Sequence, residues 1–175
     1  FLFEKKISNL LKVKYTCGVA NGSDALEVGM LALGIKKDDE VITATNSWVS
    51  SLTSIINIGA KPILVDVDDD FNIDCKMLKK AITKKTKAIM PIHLNGLPAN
   101  MSEIMKISKK YKIKVVEDSA QAILSKIDNK YAGTIGHIGC FSMHPTKNLG
   151  VAGDGGFIVT NNKIFFDKIK LISNH

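Results

Sequence analysis

Residues 15–33, YTCGVANGSDALEVGMLAL, contain a change of hydrophobic period that decides the fold. Tyr15 to Ala20 form an apolar run of strand length, whereas Ala25 to Leu33 place their apolar residues at helical spacing. The intervening residues 21–24 are Asn, Gly, Ser and Asp, which favour a tight turn and the start of a helix. The stretch therefore predicts a β-strand that leads directly into an α-helix.

The same alternation continues through most of the chain. Further strands are predicted at Glu40 to Ala44, Pro62 to Val65, Ala88 to Pro91 and Lys114 to Glu117, with helices at Ser47 to Ile58, Cys75 to Ile82 and Ser102 to Tyr111. After about Ala122 come shorter strands, at Lys126 to Tyr131, Gly139 to Ser142 and Gly156 to Thr160, and an amphipathic helical pattern over 165–172. Repeated strand-helix-strand units predict an α/β fold with three layers, α-β-α, around a mostly parallel central sheet.

The composition is typical of one globular domain. The chain has 175 residues and shows no internal repeat or linker. Its formal net charge is +7, but all 24 basic residues are lysines, and they are scattered along the chain. Because arginine is the preferred reader of guanine and a frequent phosphate clamp, we favour a solvated lysine-rich surface over a nucleic-acid-binding face.

The cysteine and histidine spacing argues against a metal site. Cys17, Cys75 and Cys140 are widely spaced and odd in number, which disfavours a disulfide framework and favours a reducing cytoplasm. No Cys/His set has metal-ligand spacing, so His93 and His137 are interpreted as structural residues. No apolar run reaches the length of about 18 residues that a transmembrane helix needs, and we expect no membrane partner.

Two polar or aromatic segments follow predicted strands, where ligands of parallel α/β sheets bind. Ser23 and Asp24 follow the first strand, and their N–H groups and the Ser23 hydroxyl could hold a phosphate. These residues equally suit an ordinary helix cap. Trp48 follows the strand that ends at Ala44. It is either a core residue, the simpler interpretation, or a side chain that stacks on a flat ring.

Two carboxylates end the strand that begins at Lys114. A carboxylate at a strand end, here Asp118, can hold the protonated pyridine nitrogen of pyridoxal 5′-phosphate (PLP). Gln121, one helical turn further on, is expected on the same side and could donate to the ring oxygen. The alternative is a capping aspartate beside a surface glutamine.

Residues 139–150, GCFSMHPTKNLG, lead from an apolar strand into a loop that bears Ser142 and Lys147. The loop is almost uncharged, with Asp154 its nearest acid, and glycines at the end of the loop allow close approach of a ligand to the backbone. A lysine in a desolvated site becomes a nucleophilic amine. Taken alone, however, the pattern is still more typical of an exposed loop lysine.

In this order, these segments resemble the DegT/DnrJ/EryC1/StrS family of PLP-dependent sugar aminotransferases, which are fold-type-I PLP enzymes. The similar segments run through essentially the whole chain: 3–4, 18–19, 21–26, 34, 39–42, 59–62, 65–68, 86–89, 91–96, 117–122, 140–142, 147–149 and 153–156. Each piece is a weak signal, but the ordered set is specific. The resemblance implies the fold of the family's large domain.

The resemblance also implies roles for seven residues. Lys147 matches the Schiff-base lysine, which is also the catalytic base. The other cofactor-binding positions are Ser23, Asp24 and Ser142 for the phosphate, Asp118 for the pyridine nitrogen, Gln121 for the ring oxygen and Trp48 for stacking on the ring. Related dehydratases have histidine at the lysine position, so Lys147 indicates transamination instead.

The activity that the resemblance implies is amino transfer, commonly from glutamate, to a keto group of a nucleotide-linked sugar. Such reactions serve cell-surface polysaccharide or amino-sugar biosynthesis. Full-length members are longer, carry a smaller C-terminal domain and are usually homodimers. We therefore expect residues 1–175 to be the PLP-binding large domain of an incomplete cytoplasmic protein.

Two alternatives stay open from the sequence. One is another fold-type-I PLP enzyme, which would act on amino acids by desulfuration or aldol cleavage. The other is a non-catalytic truncated or regulatory relative that binds PLP or a partner without turnover.

Overall fold

The computed structural model describes residues 1–174, which form six α-helices and nine β-strands. The helices are α1 (Leu2–Leu11), α2 (Gly22–Ala32), α3 (Val49–Asn57), α4 (Cys75–Ala81), α5 (Met101–Tyr111) and α6 (Lys163–Ser173). The strands are β1 (Tyr15–Val19), β2 (Glu40–Ala44), β3 (Lys61–Val65), β4 (Thr86–Met90), β5 (Lys114–Asp118), β6 (Lys126–Ile127), β7 (Lys130–Tyr131), β8 (Ile138–Ser142) and β9 (Gly156–Thr160). None of these six helices is both long enough and apolar enough to cross a membrane.

Seven strands form one sheet in the order β1-β9-β8-β5-β4-β2-β3. Four of its six pairings, those from β3 to β8, are parallel, whereas β9 lies antiparallel between β8 and β1. Because β8 and β1 are both antiparallel to β9, β1 runs in the same direction as β8 and β5. These three strands therefore end at the same edge of the sheet. The mostly parallel α/β sheet predicted from the sequence is confirmed.

Helices cover both faces of the sheet because successive side chains of a strand point to opposite faces. On one face, Val41 and Met90 pack in a core with residues of α2, α3 and α6. On the other face, Ile42 and Ile89 pack with residues of α4 and α5, and α1 packs nearby on side chains of β8 and β9. The three-layer arrangement is therefore also confirmed.

Helix α1 is not among the elements predicted above. Its buried residues, Ile7 and Leu11, face the sheet, and Phe3, one turn earlier, packs edge-on against Phe157. These apolar residues recur every four positions, so the sequence does contain the pattern of an amphipathic helix, and its omission is an error of the prediction.

The predicted strand Lys126 to Tyr131 is wrong, because the chain reverses in its middle. β6 and β7 form a short antiparallel hairpin. Its two turn residues, Asp128 and Asn129, have φ angles of 49° and 61°, in the left-handed region. Asp and Asn tolerate this region better than most residues, and two-residue hairpin turns use it.

Gly139, within β8, leaves no space for a side chain. A Cβ atom on Gly139 would collide with the carbonyl oxygen of Gly133, whereas one on Gly18 in β1 would meet no atom within 4 Å. We expect Gly139→Ala to lower the free energy of unfolding by about 3 kcal/mol, because the backbone must shift. Urea unfolding measures this, with Gly18→Ala as the control that changes it by less than about 0.5 kcal/mol. Equal effects of the two changes would contradict the prediction.

Candidate active site

A cleft of about 740 Å³ opens at the edge where β1, β5 and β8 end. Its lining includes all seven residues that the sequence singled out: Ser23, Asp24, Trp48, Asp118, Gln121, Ser142 and Lys147. These residues come from four separate segments of the chain. Residues that end or follow four different strands therefore share one rim of the sheet, while the role of each remains a prediction.

One end of the cleft is the N-terminus of α2. This helix begins at Gly22, three residues earlier than its apolar periodicity predicted. The cap is Asn21, whose Oδ1 accepts a hydrogen bond from the N–H of Asp24 at 2.8 Å. Ser23 and Asp24 therefore lie in the first helical turn instead of capping it. Because the first N–H groups of a helix have no partner within the helix, this end of the cleft attracts an anion.

Ser142, the last residue of β8, lies directly against the start of α2. A Cβ atom on Gly22 would be 2.7 Å from the Cβ of Ser142. The two elements approach this closely only because residue 22 is glycine. The Ser142 hydroxyl therefore lies beside the helix N-terminus, where both can contact the same anion.

Asp118 is 6% exposed, and each oxygen of its carboxylate has a hydrogen-bond donor. Oδ2 accepts from Ser51 Oγ of α3 at 2.7 Å, and Oδ1 accepts from the N–H of Ala120 at 3.1 Å. Such donors offset the cost of burying a charged group. Nothing in the sequence pattern revealed Ser51, because it lies 67 residues from Asp118.

Gln121 lies in a turn, so the expected helical spacing from Asp118 is wrong. Its Oε1 accepts a hydrogen bond from the N–H of Asn95 at 2.8 Å. Since a backbone N–H can only donate, the amide oxygen faces Asn95 and the Nε2 amino group points away from it. Gln121 lines the cleft with an amino group that the bond to Asn95 does not use, and its role as a donor to a ring oxygen stays a prediction.

Trp48 stands at the mouth of the cleft and is 71% exposed. It occupies the cap position just before α3. The interpretation of Trp48 as a core residue is therefore wrong. An exposed indole at the rim of a cleft can stack on a flat ligand.

Lys147 lies in the loop between β8 and β9 and is half-buried in the lining of the cleft. Its backbone N–H donates to the carbonyl of His144 at 2.8 Å. The loop is tight, since a Cβ atom on Gly150 would lie 2.7 Å from the carbonyl oxygen of Pro145. Lys147 is thus not the fully exposed loop lysine that the local pattern alone favoured.

A second carboxylate, Glu117, lies fully buried behind the cleft. It accepts hydrogen bonds from the N–H groups of Gly133, Ile135 and Gly136 and from His93 Nε2 at 2.9 Å. His93 Nδ1 accepts from the N–H of Ala99, so the imidazole is neutral and its proton is on Nε2. The sequence indicated a structural His93 but gave no sign of this pairing.

Cys140 also lines the cleft but is 1% exposed. Burial, with Asp118 and Glu117 nearby, raises the pKa of its thiol well above the ordinary value of 9.0. Because the thiolate is the nucleophilic form, Cys140 is not a candidate nucleophile at neutral pH. Lys147 is the stronger nucleophile candidate in the cleft.

The sequence model of the DegT/DnrJ/EryC1/StrS aminotransferase family matches residues 2–175. The chain belongs to this family. Among its relatives, the UDP-N-acetyl-3-dehydro-α-D-glucosamine 3-aminotransferase of Acidithiobacillus ferrooxidans is 43% identical over 98% of the chain. A pleiotropic regulatory protein of Geobacillus stearothermophilus is 42% identical over 98% of the chain.

Solved structures share the fold, among them a DegT/DnrJ/EryC1/StrS aminotransferase from Brucella abortus with a TM-score of 0.92 and 34% identity over 97% of the chain. The crystal structure of NtdA from Bacillus subtilis, with the bound cofactor PMP, superposes with a TM-score of 0.93 and 38% identity over 99% of the chain. The match covers 39% of NtdA. The chain also covers 47% of the Acidithiobacillus relative and 46% of the Geobacillus relative. It therefore spans about half the length of the curated relatives it matches.

The hydrogen bonds of Glu117, which join β5 to His93 and to the backbone of residues 133–136, can be tested by mutation. All four of its partners are donors, so the amino group of a glutamine would face a donor. We expect Glu117→Gln to lower the free energy of unfolding by about 3 kcal/mol. Urea unfolding checks this, with Glu103→Gln, on the solvent side of α5, as a control expected to change little. An unfolding free energy for Glu117→Gln close to that of the control would refute the anchoring role.

Proposed function

We propose that this chain is the PLP-binding part of an aminotransferase that acts on a keto group of a nucleotide-linked sugar. One observation carries the proposal: a single cleft contains an anion site, a buried carboxylate, an amide donor, an exposed indole and a primary amine. These five groups correspond to the parts of PLP, which are a phosphate, a pyridine nitrogen, a ring oxygen, a ring face and an aldehyde.

The residues of the cleft fit PLP. The N-terminus of α2, with the hydroxyls of Ser23 and Ser142, supplies N–H and O–H donors for the phosphate, and Asp24 lies in the same turn. Asp118 would accept from the protonated ring nitrogen, and Gln121, whose oxygen is occupied by Asn95, would donate from its amino group to the ring oxygen. The cleft, at about 740 Å³, is within the size range of small-molecule sites.

In this proposal, the residues of the chain hold the cofactor and move one proton. When bound, PLP supplies an electron-withdrawing ring that stabilises the charge left on a carbon after proton loss. Lys147 Nζ would hold the aldehyde group of the cofactor, and as a free amine it would carry one proton between the substrate carbon and the cofactor. Trp48, at the mouth of the cleft, would stack on one face of the ring.

The proposal extends to the substrates, the assembly and the location of the protein. The sugar nucleotide as amino acceptor is suggested by the named activity of the Acidithiobacillus relative. Glutamate as amino donor and a homodimer are expected from the family, and residues 1–175 would be its large domain. A cytoplasmic location agrees with the three free cysteines, Cys17, Cys75 and Cys140.

A regulatory function is the second candidate, because the Geobacillus relative carries a regulatory name. The two candidates differ in turnover. Amination of a keto sugar nucleotide with glutamate supports the first, whereas PLP binding without turnover of any substrate supports the second. Release of alanine or glycine from an amino acid would favour the other fold-type-I chemistries.

The covalent role of Lys147 can be tested by mass spectrometry. We expect PLP followed by borohydride reduction to add one pyridoxyl phosphate group to the protein, on the peptide that contains Lys147. Lys147→Ala and Lys147→Arg should both lose the modification, and Arg keeps the positive charge as a matched control. Lys109→Ala, on the exposed end of α5, should keep it.

Modification of scattered surface lysines, with no loss in Lys147→Ala, would contradict the proposed anchor. Absorbance spectra recorded before reduction give a second readout. The Schiff base of PLP with a lysine absorbs visible light. We expect this absorption in the wild type and in Lys109→Ala, but not in Lys147→Ala.

A further inference from the structure

Two serines connect the cleft to Asp118 through short hydrogen bonds. Ser51 Oγ, in the first turn of α3, lies 2.7 Å from Asp118 Oδ2. Ser47 Oγ lies 2.6 Å from Ser51 Oγ. Ser51 is 1% exposed, whereas Ser47 is only half-buried, and both line the cleft. The three side chains form one continuous chain of hydrogen bonds.

The direction of this chain follows from the number of protons available. An ionised carboxylate can only accept hydrogen bonds, so the single hydroxyl proton of Ser51 points to Asp118. Ser51 Oγ then has only lone pairs to offer, so Ser47 donates to Ser51. The chain of donation therefore runs from Ser47 through Ser51 to Asp118, and each hydroxyl polarises the next.

Ser51 uses its hydroxyl differently from its buried neighbour on the same helix. Ser54 Oγ donates to the carbonyl of Ser51 at 3.3 Å, a local bond of a kind common for serine in helices. Ser51 instead donates across the layer boundary, from α3 to the end of β5. The Ser51 hydroxyl therefore does more than make a local bond within its own helix, because it binds Asp118 on another element.

We propose that Ser51 is a positioning residue for Asp118, and that the hydrogen bond which Ser51 accepts from Ser47 strengthens its own bond to Asp118. The proposal rests on the proposed function, in which Asp118 contacts the ring nitrogen of PLP. Ser51 holds Oδ2 and the N–H of Ala120 holds Oδ1, so donors on both oxygens fix the plane of the carboxylate. The terminal torsion of an aspartate is otherwise broad, and a rotated carboxylate would meet the ring nitrogen poorly.

The test uses two ligands that differ only at the ring nitrogen. Pyridoxamine phosphate binds without a covalent bond to Lys147, so its affinity reports the contacts of the cleft alone. Its analogue with C–H in place of the ring nitrogen lacks the atom that Asp118 contacts. We expect Ser51→Ala to weaken pyridoxamine phosphate binding about tenfold and the analogue less than about twofold, measured by titration calorimetry.

Three further variants complete the experiment. Ser47→Ala should weaken pyridoxamine phosphate binding about threefold, because Ser51 keeps its own bond to Asp118. Ser54→Ala is the matched control on the same helix and should bind both ligands as the wild type does. Ser51→Cys preserves the size of the side chain but is a weak donor, so it replaces Ser51→Ala if thermal unfolding shows that the alanine variant does not fold.

Each outcome decides the question. Selective loss of pyridoxamine phosphate affinity supports the positioning role. An equal loss for both ligands would show that Ser51 serves general packing, and no loss would show that the strand and Ala120 suffice to hold Asp118. A wild-type protein that binds neither ligand would refute the proposed function itself, and this inference with it.

Discussion

The alternation of side chains along β5 is the constraint on which the site depends. Val116 packs in the core beneath α2 and α3, whereas Val115 packs in the core beneath α5. The two carboxylates that follow continue this alternation. Asp118 faces Ser51 of α3, and Glu117 faces His93 on the opposite side of the sheet. Two adjacent residues of the same charge thereby enter separate surroundings, and each has its own set of donors.

The deeper carboxylate secures the position of the shallower one. Glu117 binds the backbone of 133–136 and, through His93, the segment that leads to Ala99. That segment includes Asn95, whose N–H orients Gln121. The backbone of Asp118 bonds to the same segment, donating to Pro91 and accepting from His93. Most of the hydrogen-bonding capacity of Glu117 is used within the protein, while Asp118 keeps lone pairs for a ligand.

The sequence predicted those features that depend on local pattern. The alternating apolar periods predicted the main strands of the sheet and most helices, and the rule that ligands bind at strand ends predicted which polar residues share the cleft. The sequence did not predict Ser51 or the partners of Glu117, because those contacts join residues 16 to 67 positions apart and depend on sheet order. It also missed the reversal at Asp128 and Asn129, where two residues with left-handed backbone interrupt a strand-like pattern.

Lys147 differs from the other lysines by its surroundings. The backbone of its loop is held by the hydrogen bond from Lys147 to His144 and by the close contact at Gly150. The α2 cap, the Gly22–Ser142 contact and the bond from Ser51 to Asp118 likewise hold polar groups of the cleft with atoms of the protein alone. A site with little left to order loses less conformational entropy on binding, so more of the interaction energy appears as affinity. Under the proposed function, the same rigidity holds the backbone from which the Lys147 side chain joins the cleft, and so limits the positions that its amine can take.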